Sequence, residues 1–278
     1  MSTLKIKTTS RPTAGSRDAH GSSDAGPQLG TTARTSRRLR WAPRTRTAGW
    51  LGLVCAALYS YLMLEVPLGR LDMPTSFVSE LSARDQPWHQ LFEAFDITSG
   101  VLMVLIALAL ANVVPAGRGP TWGWISLAGF GVSTTLVGSL PMDCAASMTR
   151  ICAVDEMQRH FSWMHWGHEV FSVTATFSLV ASMYLIGRRL RDVPGLRLAG
   201  HYTLVALPVV LLLCVPLTAY GLGLGVDLTT GAPIWRVHHF FGVYERIQIN
   251  LAVGWLAVLG LCLLRVSRRE RGSVELAA

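Results

Sequence analysis

Six long apolar stretches constrain this 278-residue chain more than any other feature. They run over 48–66, 94–114, 121–140, 162–187, 202–222 and 247–264. A helix that crosses a bilayer needs about 20 predominantly apolar residues. Half of the residues are hydrophobic and only 15% are charged. The runs are too long for strands, and no ten-residue alternation of a membrane barrel is present. The expected fold is all-α, a polytopic membrane bundle of six transmembrane helices in one domain. Stretches two and three are joined by the short turn 115–120, which makes them antiparallel neighbours. Pro208 and Pro216 predict kinks in the fifth span, which membrane helices tolerate where neighbours satisfy the freed carbonyls.

Arginine placement predicts the orientation. Arg37, Arg38, Arg40, Arg44 and Arg46 precede the first span, Arg188, Arg189, Arg191 and Arg197 lie between spans four and five, and Arg265, Arg268, Arg269 and Arg271 follow span six. With Arg118 these make fourteen on one side, against six (70, 84, 150, 159, 236 and 246) on the other. The positive-inside rule then places both termini in the cytoplasm. The organisation expected is a basic cytoplasmic tail over 1–46, a six-helix membrane domain over 47–266 and a short cytoplasmic tail over 267–278. The first 46 residues carry ten basic and two acidic residues, so the whole net charge of +8 resides there. Their Ser, Thr, Gly and Pro content, without apolar periodicity, predicts disorder. This tail reads as a solvated segment that enforces orientation; the alternative is binding of anionic headgroups through Arg37–Arg46. Its arginine and serine content also resembles an organellar transit peptide. Arginine in place of lysine fits a high-GC bacterial genome, and hence the bacterial inner (plasma) membrane. The bilayer is the expected partner and no nucleic acid is expected.

This orientation gathers ionisable groups on the outer side. Six of the eight histidines (89, 160, 165, 168, 238 and 239) and twelve of the fifteen acids after position 46 fall there. Charged groups near or inside a bilayer are costly and tend to mark function. The densest run enters span four, Asp155 to His160 followed by His165-Trp166-Gly167-His168-Glu169. At 100° per residue, His165, His168, Glu169, Ser172 and Thr176 share about 100° of arc. Such a stripe must face protein or water. Two histidines at i, i+3 can chelate an ion, and Glu169 can ligate or act as a base. The order His-x-x-His-Glu matches no peptidase motif. A hydrogen-bonded packing face is the other reading, because buried polar groups hold membrane helices together. His238 and His239 precede span six, followed by Glu245 and Arg246, for which an interfacial salt bridge is the favoured reading. Arg246 needs a partner, with Glu245, Asp143 or Glu169 available. Pro141 ends span three and aims Asp143 at the outer site. Asp96, early in span two, and Asp143 are better candidates than Glu80 or Asp85, which read as exposed. The Gly-rich segment 222–233 reads as an outer loop.

Five cysteines are present. Cys55, Cys214 and Cys262 lie in apolar spans and read as small core residues. Cys144 and Cys152 share an outer loop, where an oxidising compartment favours a disulfide between them. Metal ligation by the pair is the alternative, although the spacing fits no zinc knuckle.

Ser79-Glu80-Leu81-Ser82 after span one, Leu140-Pro141-Met142-Asp143-Cys144 after span three, the histidine-rich entry to span four and Gly242-Val243-Tyr244-Glu245-Arg246 entering span six resemble a bacterial multi-pass family, domain of unknown function 998, over about residues 48–266. The resemblance implies six spans and supplies no substrate. A weaker chemical analogy runs to the intramembrane hydrolases that include alkaline ceramidases, which combine Ser, Asp and three His around zinc. By that analogy Ser79 and Asp143 are the catalytic candidates; six spans instead of seven, and no His-x-x-x-His in the last, are departures from it. Three function classes follow. One is a metal-dependent hydrolase or transferase acting on a lipid or envelope precursor, with zinc as the candidate ion on His165, His168 and His238 or His239, and Asp143 or Glu169 as base. The second is a proton-coupled transporter, and the third a non-catalytic structural or partner-docking protein. A bis-histidine haem between span four and His238 is a minor further reading.

Overall fold

The computed structural model of the chain describes residues 42–60, 62–68, 71–111, 120–221 and 240–275. Residues 1–41, His238 and His239, and the Gly-rich segment 222–233 lie outside them. The described residues are helical and contain no strand. The helices are α1 (Ala42–Tyr59), α2 (Leu62–Leu68), α3 (His89–Ala111), α4 (Pro120–Ser139), α5 (Arg150–Gln158), α6 (Trp163–Leu190), α7 (Arg197–Gly221) and α8 (Phe241–Glu275), with a 3₁₀ turn at Val78–Ser82. Because α1 begins at Ala42, Arg44 and Arg46 are helical and not part of an unstructured tail.

Among the described residues, five stretches are long and apolar enough to cross a membrane: Arg44–Leu68, His89–Ala111, Trp163–Leu190, Arg197–Cys214 and Phe241–Arg269. Helix α4 has the length, at 20 residues, and intersperses glycines, serines and threonines among its apolar residues. Those small residues serve packing. A Cβ on Gly100 of α3 would lie 2.5 Å from the Gly131 carbonyl of α4, and one on Gly131 would lie 2.5 Å from the Gly100 carbonyl. Only backbone fits there, so α3 and α4 approach closely, as small-residue motifs allow in membranes.

The six long helices form a closed ring in chain order. Helix α1 packs on α3, α3 on α4, α4 on α6, α6 on α7, α7 on α8, and α8 returns to α1. Their inward faces bury Trp255, Phe92, Met103, Leu127, Met183 and Leu256 in one core. Antiparallel contact between α1 and α8 brings Gly49 against Leu264 and Gly52 against Gly260. One end of the ring therefore holds Arg46 beside Arg268. The opposite end holds the tip of α1, the starts of α3, α6 and α8, the end of α4, and the 3₁₀ turn, and there a cavity opens.

The entry to span four is built from two helices and not one. Thr149 caps α5 by accepting from the Cys152 amide at 3.3 Å, and α5 closes at Arg159, whose φ of 58° is left-handed. The chain restarts at Ser162, whose hydroxyl accepts from the His165 amide at 3.3 Å and caps α6. An N-cap of this kind satisfies a backbone donor that the helix cannot.

Candidate functional site

The cavity encloses about 190 Å³. Its ionisable lining is Glu80, Asp96, Glu156, Glu169, Glu245 and His168. Each of the 3₁₀ turn, α3, α5 and α8 delivers one carboxylate, and α6 delivers Glu169 with His168. The polar stripe of α6 is used as its spacing predicts, since His168, Glu169, Ser172 and Thr176 all face this space. Ser79 lines it as well, and among the described residues no lysine or arginine does.

His168 is 2% exposed, and its Nδ1 lies 2.9 Å from the Leu140 carbonyl oxygen and 3.1 Å from that of Val137. Two acceptors fix the tautomer: Nδ1 carries the hydrogen and donates it. The Nε2 of the ring then carries the lone pair, and it is buried without a hydrogen-bond partner among the described residues in a side chain that lines the cavity. Gln248, 7% exposed, brings a second such atom, its Oε1. Buried polar atoms normally have partners, so each exception calls for an explanation.

Glu80 reads from sequence as an exposed loop acid, and the structure corrects this. It is 2% exposed, and its carboxylate accepts from the Ser147 amide at 2.8 Å and hydroxyl at 2.5 Å. Burial pushes its carboxyl up to about 7; the Ser147 bonds oppose that rise without cancelling it. Glu245 accepts from the Val78 amide at 2.5 Å, which ties α8 to the 3₁₀ turn. The expected Glu245–Arg246 bridge is not the arrangement formed. Arg246 forks onto the buried carboxylate of Glu65 and donates to the Ser76 and Gly242 carbonyls, each at 2.8 Å. Glu245, Asp143 and Glu169 are the partners the sequence offers for Arg246, and the structure supplies Glu65, 181 residues away, instead.

Asp143 anchors the start of α6 and does not line the cavity. Its two carboxylate oxygens accept from the Ser162 amide and hydroxyl, both at 2.7 Å. Burial raises its pKa, but the Ser162 bonds, His165 and Arg84, at 3.7 Å, outweigh it and hold the carboxyl below its ordinary value. His165 is fully buried, stacked on Phe161 with ring centroids 3.8 Å apart. It accepts the Asp143 amide at Nδ1, 3.3 Å away, and its Nε2 lies 3.7 Å from Glu169. His165 thus bridges Asp143 and Glu169 behind the cavity wall, whereas His168 faces inward. Among the described residues, no three His, Cys, Asp or Glu side chains converge as a metal site would require. Cys144 and Cys152 are joined by a disulfide, with Cα atoms 6.1 Å apart.

Long apolar helices closed around an ionisable cavity define a multi-pass integral membrane protein. Within that class, the chain belongs to the family described as protein of unknown function (DUF998), whose model matches residues 53–262. Neither the curated proteins nor the solved structures yield a match.

Proposed function

We propose that this protein crosses the bacterial plasma membrane six times, with both termini cytoplasmic, and uses the cavity to bind and carry a small solute in exchange for protons. The single observation behind this reading is the convergence of five carboxylates and one histidine on a cavity inside a membrane bundle. Ionisable groups at such depth cost on the order of 2.5–3.5 kcal/mol each even on permissive insertion scales, and proton relays in carriers are built from them. Closure of the ring through α4 supports six spans, since α4 packs between α3 and α6 as a full member. The Cys144–Cys152 bond supports an outward-facing cavity end, because disulfides persist in oxidising compartments. The metallohydrolase reading has less support: Asp143 is committed to the start of α6, and zinc would need His238 or His239, outside the described residues.

Orientation is tested by cysteine reporters, with positions 191 and 267 reporting cytoplasm and position 231 the outside; a cytoplasmic 231 overturns it. The carrier reading is tested on protein in liposomes loaded with a pH dye and challenged with cationic, neutral and anionic solutes. At least one class should drive proton movement that Glu245→Gln abolishes. No movement with any class overturns the reading. Stoichiometric zinc that His168→Ala removes would return the hydrolase to first place.

A further inference from the structure

We infer that the cavity selects a small amphiphilic ammonium ion, a primary amine on an apolar body about the size of one aromatic ring. This deepens the carrier reading and rests on the cavity being the ligand site. An acidic cluster alone would not identify a ligand, since carboxylates can share protons or hold structure. The second observation is that two side chains lining the space, each more than nine-tenths buried, carry a polar atom without a hydrogen-bond partner among the described residues: His168 Nε2 and Gln248 Oε1. Both are acceptors. The fixed tautomer makes Nε2 a lone pair, and the carboxylates around it accept as well when ionised. The donors on the described wall are neutral hydroxyls and one amide, no described lining residue is a lysine or arginine, and a primary ammonium with three N–H groups supplies the missing positive charge to the carboxylates and the two acceptors.

Charge balance excludes the opposite sign. Arg246 follows Glu245 in sequence but is turned onto Glu65, Ser76 and Gly242. Arg159, beside Glu169 in space, stacks over the Trp166 ring at 5.0 Å and does not line the cavity. An anion would meet carboxylates with no cation among the described residues of the wall. A bare metal ion would need a closed set of ligands that the described residues do not form.

Size and wall chemistry narrow the class. The cavity, about 190 Å³, is smaller than the roughly 300–1,000 Å³ of drug-sized sites, and about 150 Å³ already admits benzene. Tyr59, Phe77 and Phe130 supply aromatic wall, with Tyr59 and Phe130 edge-to-face at 6.4 Å between centroids. Aromatic faces attract cations and accept apolar bodies. Leu179 and Ile249 complete an apolar lining that a bare hydrated cation would not use.

Calorimetry on the full-length protein in nanodiscs of zwitterionic lipid tests this with three probes of one shape: benzylammonium, benzyl alcohol and benzoate. Benzylammonium should bind at least about tenfold tighter than benzyl alcohol, the ratio that one charge-assisted hydrogen bond sustains, and benzoate should give no binding heat. Glu169→Gln should weaken benzylammonium about tenfold at unchanged melting temperature, and Asp192→Asn, at the other end of α6, should change nothing. If Glu169→Gln fails to fold, Ser172→Ala and Thr176→Val at the same wall carry the comparison. Absence of benzylammonium binding, equal or tighter binding of either other probe, or an affinity indifferent to all wall variants overturns the inference. Ammonium binding without proton movement in liposomes sinks the carrier reading and leaves the inference standing. Proton movement driven only by anionic or neutral solutes does the reverse.

Discussion

The two ends of the helical ring are both rich in charge and use it in opposite ways. At the cavity end, Glu65, Glu80, Asp96 and Arg246 are buried; Arg246 pairs with Glu65 and Glu80 with Ser147, each from a distant part of the chain. At the other end, Arg46, Arg188, Arg191, Arg265, Arg268 and Arg269 are exposed. Their contacts are local: Arg188 reaches the Tyr184 hydroxyl one turn away, and Arg191 its neighbour Asp192 at 3.9 Å. Burial accounts for the difference. A desolvated charge must be matched or it destabilises the fold, so it dictates geometry. A solvated charge interacts weakly with any one partner and acts through the summed field, which suits orientation in a membrane.

Removing one buried partner should break this contrast most severely. Arg246→Met leaves Glu65, 2% exposed, without its cation and frees the Ser76 carbonyl. The expected loss is about 3–5 kcal/mol, enough to remove the folded peak in fluorescence-detected size exclusion. The double change Glu65→Gln with Arg246→Met should recover part of it. A single variant that melts like the wild type would show that the pair is not desolvated.

Glu80 gives the next largest effect, and its sign is definite. Its folded pKa, about 7, lies above the unfolded value near 4.5. The folded state therefore holds a proton that the unfolded state releases between those values. The resulting stability is full below pH 4.5, falls as pH rises to 7, and is absent above. It amounts to at most about 3 kcal/mol. The melting temperature in detergent should fall from pH 5 to pH 7.5, and Glu80→Gln should flatten that slope. Glu80 interacts electrostatically with Glu156 and Glu245, which keep their own carboxyls in the variant, so the slope should shrink without vanishing. Equal slopes in both proteins would refute the assignment.

What was legible in the sequence depended on how local the cause is. The stripe of α6 was readable because periodicity of 3.6 acts within one helix, and four of its five residues face the cavity. Glu80 was not: only the tertiary fold brings Ser147, 67 residues away, onto a carboxylate that looks solvated in a Ser-Glu-Leu-Ser run. The Arg246–Glu65 pair escaped for the same reason. Asp143 reads from sequence as an acid at the outer end of span three, and the structure sets it against the start of α6. Proline directed it toward the site, and Ser162, a cap that hydropathy cannot reveal, then took both its oxygens.

That cap sharpens the comparison at an intermediate scale. Ser162→Ala removes the acceptor of the His165 amide and one bond of Asp143. A loss of about 0.5–2 kcal/mol is expected from capping alone. Because His165 and His168 sit in the first two turns of α6, faster amide exchange over 163–168 should accompany it. Unchanged exchange there would mean that the ring packing, not the cap, holds the histidines in place.

The smallest effect belongs to the basic end and tests the other half of the contrast. Arg46 and Arg268 share a cleft between α1 and α8 with Trp50, Leu264 and Ser267. Both arginines are exposed, so neither is matched against a desolvated partner. Arg268→Ala should change the melting temperature by an amount equivalent to about 0.5 kcal/mol or less, against the several-fold larger cost at Arg246. Its effect should appear instead in topology. Removing Arg46, Arg265, Arg268 and Arg269 together lowers the positive charge flanking the first and last spans, and a fraction of molecules should insert inverted, read by the reporter at position 231. Should Arg268→Ala alone unfold the protein, this end carries buried electrostatics too, and the division of labour between the two ends fails.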